Sequence, residues 1–179
     1  MRRQKGFSLI ELLIVVAIIL IIAAIAIPNL MRAKMAANTS SAAASERTIV
    51  TGEIAYFAAF PTIGYTTTLV TLGSTIGAAC SPSSGTACLI DSNLANNGTP
   101  ANSGKSGYTF VETGSNNGSG AAAVNNQFIT SAAALALTTG TTAFCAVDDG
   151  VVRSEPSNIA ATTAVTVYAT CQGLNPLAN

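Results

Sequence analysis

The chain has 179 residues, 49% of them apolar and only 9% charged, with 8 Lys+Arg balancing 8 Asp+Glu and no histidine. An average globular protein is about 25% charged, so Arg32, Lys34, Arg47, Lys105 and Arg153, scattered along the chain, give no direct nucleic-acid site. Without histidine, and without a G-x-S-x-G elbow, the usual general base, zinc ligand and activated serine are missing; no catalytic residue, metal or cofactor is expected.

In chain order, Arg2, Arg3 and Lys5 come first, then a Gly6-Phe7 junction, then an apolar run from Phe7 to Ile27 holding one acid, Glu11. A positive start, an apolar run and Ala24-Ile25-Ala26 suggest a secretory signal peptide. Against that, the run has the length of a membrane span, about 20 residues, rather than an h-region of 7–15. The helical pattern also continues past Ala26. A charge at the centre of a bilayer costs about 2.5–3.5 kcal/mol, so Glu11 needs a partner. Removing Met1–Gly6 takes away three cations and leaves 5 Lys+Arg against 8 Asp+Glu, a net charge of −3.

Pro28 to Phe60 extends the helix. Its apolar stripe is expected to run through Val50, Ile54 and Phe57, with Ala58 beside it and with Arg47, Thr51 and Glu53 mainly elsewhere. Pro61 ends it. A helix from Phe7 to Phe60 would be roughly 80 Å long, so its first half is expected to bury itself in something other than its own domain. Pro28 removes a hydrogen bond to the carbonyl of Ala24 and should kink the helix; equally it marks a membrane exit, and the two readings are compatible.

From Thr62 to Gly107 the periodicity dissolves into Gly, Ser, Thr and Asn, with Cys80 and Cys88 closing a small loop. The rest reads as antiparallel strands: Tyr108–Val111, Gln127–Thr130, a hairpin of Thr142–Val147 and Val151–Arg153 around Asp148-Asp149-Gly150, and a last strand Ala164–Cys171. Ser115–Gly120 reads as a loop. Asp148-Asp149 could be imagined as paired carboxylates or calcium ligands, but neighbouring strand residues point to opposite faces and the following glycine favours a turn. Four cysteines behind a membrane-targeting arm imply two disulfides in an oxidising compartment. Of three possible pairings, Cys80–Cys88 with Cys145–Cys171 is preferred, the second tying the hairpin to the C-terminal strand. Asn38-Thr39-Ser40, Asn97-Gly98-Thr99 and Asn117-Gly118-Ser119 match the glycosylation sequon.

Lys5-Gly6-Phe7-Ser8-Leu9-Ile10-Glu11-Leu12, continued through the apolar run to Pro28, resembles the processing signal of type IV prepilins and of the pseudopilins of type II secretion. The resemblance covers roughly the first third of the chain. It implies an α+β pilin fold: a long N-terminal helix, hydrophobic in its first half and packed in its second against a C-terminal antiparallel sheet. The organisation expected is a leader (1–6), a transmembrane and filament-core helix (7–28), and a globular domain (29–179) with helix continuation 29–60, variable loop 61–107 and sheet 108–179. It further implies cleavage between Gly6 and Phe7 by a prepilin peptidase and N-methylation of Phe7. The subunit would lie in the inner membrane, in contact with lipid, with its N-terminus cytoplasmic, until the pilus assembly machinery adds it to a surface filament. In that helical homopolymer Glu11 would pair with the Phe7 amine of a neighbouring copy and set the axial register; the alternative is a Glu11 paired with its own N-terminus or protonated. Relatives melt the helix near the proline in the fibre, a role open to Pro28. The implied function is a pilin serving motility, adhesion or DNA uptake. The alternatives are a pseudopilin, disfavoured by the long Thr62–Gly107 excursion and the second cysteine pair, and a membrane-anchored binding domain or enzyme.

Overall fold

The computed structural model describes residues 7–116, 118, 124–155 and 162–177. The leader 1–6, with Gly6, lies outside the described residues, as do parts of the Ser115–Gly120 loop. The fold is α+β, a long N-terminal helix followed by an antiparallel sheet. Helix α1 spans Leu9–Ala59. By contacts the chain divides into two units, residues 1–34 and 35–179, and each is taken by itself.

In the second unit, α1 contributes Met35–Ala59. The helix stops because Pro61 has no N–H to continue the ladder. Phe60 N–H still reaches Tyr56 O at 2.9 Å, and Ile63 and Gly64 N–H close on Phe60 O at 3.0 and 3.1 Å. Gly64 then takes a φ of +88°, where a side chain is strained; a Cβ there would also run into the Asn125 backbone. The reversed chain is stitched down, Tyr65 N–H donating to Asn125 O at 2.8 Å and Asn125 N–H to Ile63 O at 2.9 Å. The loop that follows is not featureless: it holds the single turns α2 (Leu69–Leu72) and α3 (Ser92–Ala95). Asp91 caps α3, accepting from Leu94 N–H at 2.9 Å.

Strands β1 (Tyr108–Ser115), β2 (Gln127–Ala134), β3 (Ala143–Val147), β4 (Arg153–Glu155) and β5 (Asn175–Pro176) form, among the described residues, one antiparallel five-stranded sheet in sequence order. The Asp148-Asp149-Gly150 turn joins β3 to β4, with Gly150 at φ +74°. Alternation sorts the side chains. Tyr108, Phe110, Phe128, Ala132, Phe144 and Ala146 belong to the core that includes Ala42, Ile49, Val50 and Tyr56 of α1. Ile129, Cys145 and Val147 form a second cluster with Val165 and Cys171. Each large side chain so buried is worth about 1.5–3 kcal/mol. The sheet's edges are closed differently. On β1 the Asn97 side chain bonds both backbone groups of Phe110, Oδ1 accepting at 2.8 Å and Nδ2 donating at 3.1 Å. On the far side β5 is two residues long, one of them Pro176.

Two expectations are corrected here. Ala164–Cys171 is not a strand: Ala164–Val167 is irregular, and helix α4 spans Tyr168–Gln172. The place beside β4 that such a strand would take is filled by β5. A helical turn instead puts Tyr168 and Cys171, three apart, on one side, where they join the Ile129, Cys145 and Val147 cluster. The stripe on α1 is also displaced. Ile54 is 50% exposed and Ala58 is exposed, while Ala42, Glu46, Ile49, Glu53 and Tyr56 are buried. Small residues on that face let neighbours come close: a Cβ on Gly52 would sit 3.1 Å from Ile90 Cγ2.

Candidate functional site

In the first unit the apolar arm is uncovered. From Phe7 to Lys34 every side chain but that of Ala23 is exposed, Phe7 at 80%. Glu11 stands in the first turn of α1; its N–H and that of Leu12 share Ser8 O at 3.2 and 3.3 Å. Between Glu11 and Arg32 the stretch Leu12–Met31 carries no charge, about 30 Å of helix at 1.5 Å per residue. Helix α1 is thus long and apolar enough to cross a membrane. Pro28 lies inside it, with helix on both sides. Among the described residues no side-chain hydrogen bond or ion pair joins Phe7, Glu11 or Pro28 to another element.

Both disulfides in the second unit, Cys80–Cys88 and Cys145–Cys171, follow the preferred pairing. They differ in setting: Cys80 is exposed, whereas Cys145 and Cys171 are fully buried. Exposed disulfides are the more easily reduced. Titration of the folded chain with a mild reductant and an alkylating label should therefore open Cys80–Cys88 first, leaving Cys145–Cys171 oxidised; labelling of all four thiols in one step would contradict this.

The two aspartates of the β3–β4 turn are already engaged. Asp148 accepts from the Tyr168 hydroxyl, and burial followed by this carboxylate pushes the phenol up to about 12. Asp149 accepts from Arg153 Nη1 at 3.1 Å, from Nη2 at 2.5 Å and from Val151 N–H at 2.9 Å. The guanidinium is the main reason its carboxyl sits below the usual range. No group of His, Cys, Asp or Glu suited to a metal occurs among the described residues. Two of the sequon asparagines are also committed: Asn38 Nδ2 donates to Thr139 O at 3.0 Å, and Asn97 holds Phe110. Asn117 and Ser119 of the third lie outside the described residues.

Residues 1–27 match the family model of the prokaryotic N-terminal methylation motif. Over 38 residues the chain is 66% identical to the type IV wide pilus major component PilA4 of Thermus thermophilus, a match covering 21% of this chain and 29% of that protein. Over 55 residues it is 46% identical to the type IV major pilin protein PilA of Myxococcus xanthus, covering 31% of this chain and 25% of that one. The chain therefore spans less than a third of the length of these curated relatives. No solved structure matches. The resemblance to type IV pilins carried by Lys5–Leu12 is borne out by these matches.

One constellation was missed in the sequence. Glu46 and Glu53, two helical turns apart on α1, are fully buried, and Glu112 of β1 is 6% exposed. Thr66 sits between two of them: its N–H donates to Glu53 Oε2 at 3.0 Å, and its Oγ1 lies 2.5 Å from both Glu53 Oε1 and Glu112 Oε1. Burial pushes Glu46 up to about 8, the Thr130 hydroxyl opposing it. Burial, and then the hydrogen bond and charge of Glu53, push Glu112 up to about 10. The signal available was the seven-residue spacing of Glu46 and Glu53 in register with Ala42, Ile49 and Tyr56.

Proposed function

We propose that this chain is a structural subunit of a type IV pilus, polymerising through its N-terminal helix into a surface filament for motility, adhesion or DNA uptake. The observation that carries the reading is the uncovered apolar helix with one acid in its first turn, lying within the residues 1–27 that match a methylation motif. Exposed in water, each Leu or Ile of that arm forgoes about 1.5–3 kcal/mol. Lipid covers it first, and the arms of other copies cover it later. A prepilin peptidase cuts between Gly6 and Phe7, and Phe7 is methylated. Residues 7–28 then form the filament core, residues 29–179 its outer domain, and Pro28 its bend. Glu11 pairs with the Phe7 amine of a neighbouring copy. A contact that does not close on itself gives an open helical filament. The role is structural rather than enzymatic, and the matched relatives, both named as pilus components, support that.

The test is electron microscopy of sheared surface filaments with mass spectrometry of their subunit. The expected result is fibres built of a chain that begins at methylated Phe7. Cleavage after Ala26, or a chain confined to the envelope with no fibre, would overturn the proposal.

A further inference from the structure

The seam between α1 and β1 poses a counting problem. The Thr66 hydroxyl has one proton, yet Glu53 Oε1 and Glu112 Oε1 both lie 2.5 Å from its oxygen. Separations that short need a proton between the two oxygens, since two bare acceptors would repel. Glu53 also accepts the Thr66 N–H, so both Thr66 donors point to its carboxyl group and the hydroxyl proton is assigned to it. The contact on the other side then requires a proton on Glu112, donated to Thr66 Oγ1. Among the described residues no Lys or Arg forms an ion pair with these carboxyl groups, the pairs being Lys105–Asp91 and Arg153–Asp149, and none is among the groups acting on Glu46 or Glu112.

A second, separate observation lies beside it. Thr130 is the cross-strand neighbour of Glu112 and is fully buried, and among the described residues its hydroxyl meets no partner at hydrogen-bond geometry, as neither oxygen of Glu46 nor Glu112 Oε2 does. Thr130 acts on Glu46, so these groups face one another. A bare carboxylate without donors in such a place is prohibitively desolvated, and a carboxyl group answers by keeping its proton.

We propose that Glu46, Glu53 and Glu112, with Thr66 and Thr130, form a proton-held clasp fastening α1 to β1: Glu112 and Glu46 stay protonated, Glu53 accepts both Thr66 donors, and the seam loosens when those protons are withdrawn. The remaining titratable groups around it are Tyr56 and Tyr65, both pushed above the ordinary phenol range, by burial first and then by Glu53 and, for Tyr65, Asp148. Neither supplies a cation.

The direction of the pH dependence follows from linkage. An acid whose pKa is higher folded than unfolded binds extra proton in the folded state. Its contribution is complete below 4.5 and is lost as pH rises through about 8 for Glu46 and about 10 for Glu112. Inside that window each such group lowers the folded-to-unfolded ratio by about tenfold per pH unit. The clasp therefore favours mildly acidic conditions and weakens in alkali.

The experiment uses the full chain in detergent micelles, with denaturant unfolding followed from pH 5 to pH 9. Wild type should lose stability steadily across this range. Glu46→Gln and Glu112→Gln, which copy the protonated shape, should flatten the profile and make the variants more stable than wild type at pH 9. Infrared spectra of the folded wild type at pH 7 should show the carbonyl stretch of a protonated carboxylic acid, and Glu46→Gln should remove part of it. The infrared readout on wild type decides the matter even if a variant fails to fold. A profile parallel in wild type and variants, absence of that stretch, or full rescue of wild type at pH 9 by calcium chloride would each overturn the clasp, the last by showing that a cation does the work.

Discussion

Glu11→Ala should leave the subunit in the membrane fraction at its normal level while cutting sheared filament by at least about a hundredfold. The two halves of that expectation have different origins. Insertion is governed by the apolar arm, and removing a carboxylate relieves a cost of up to about 2.5–3.5 kcal/mol at the centre of a bilayer. Assembly on the proposed reading needs Glu11 opposite the Phe7 amine of the next copy, in a core where removing one member of a buried pair costs about 3–5 kcal/mol. At about 1.4 kcal/mol per factor of ten, the lower end of that range already suffices for a hundredfold loss. Immunoblots of sheared and cell-bound fractions measure both numbers. Wild-type filament yield from Glu11→Ala would remove the register role while leaving the span intact.

Replacing both Cys145 and Cys171 by alanine should destabilise the second unit by about 3.5 kcal/mol, from the loop entropy of a crosslink spanning 26 residues. That corresponds to a fall of about 10 °C in Tm for a domain of this size. The same relation gives about 2.5 kcal/mol for the Cys80–Cys88 crosslink, which spans 8 residues. The observed gap should be wider, because Cys145 and Cys171 also fill the second core cluster with Ile129, Val147 and Val165. Thermal melts of the two double variants, followed by circular dichroism, make the comparison. A gap of only about 1 kcal/mol, about 3 °C, would mean that packing around Cys145–Cys171 contributes nothing, and equal Tm losses would contradict the loop-entropy account as well.

The parts of the molecule legible in sequence are those written in local or strongly restricted chemistry. A lone acid in an apolar run, an Asp-Asp-Gly turn between alternating residues, and two cysteine pairs at 8 and 26 residues each allow few interpretations. The long helix and its stop at Pro61 belong to the same class. The illegible parts depend on residues that meet only in space. Glu53, Thr66 and Glu112 are separated by 13 and 46 residues, and an acid on a helix normally marks the solvated face, so periodicity alone points to a neighbouring face of α1. Ala164–Cys171 alternates like a strand and is rich in β-branched residues. The place beside β4 is filled by β5, and the disulfide holds Cys171 to Cys145; periodicity reports neither.

Asn97 on Phe110, and Pro176 at the opposite margin, bear on how such a chain tolerates crowding. An exposed strand edge is a template on which further strands add, and runaway addition ends in amyloid. Here one margin has its Phe110 amide and carbonyl already occupied by a side chain, and the other is two residues long and includes a residue with no N–H to offer. Sheet-to-sheet addition is therefore disfavoured at both of these places.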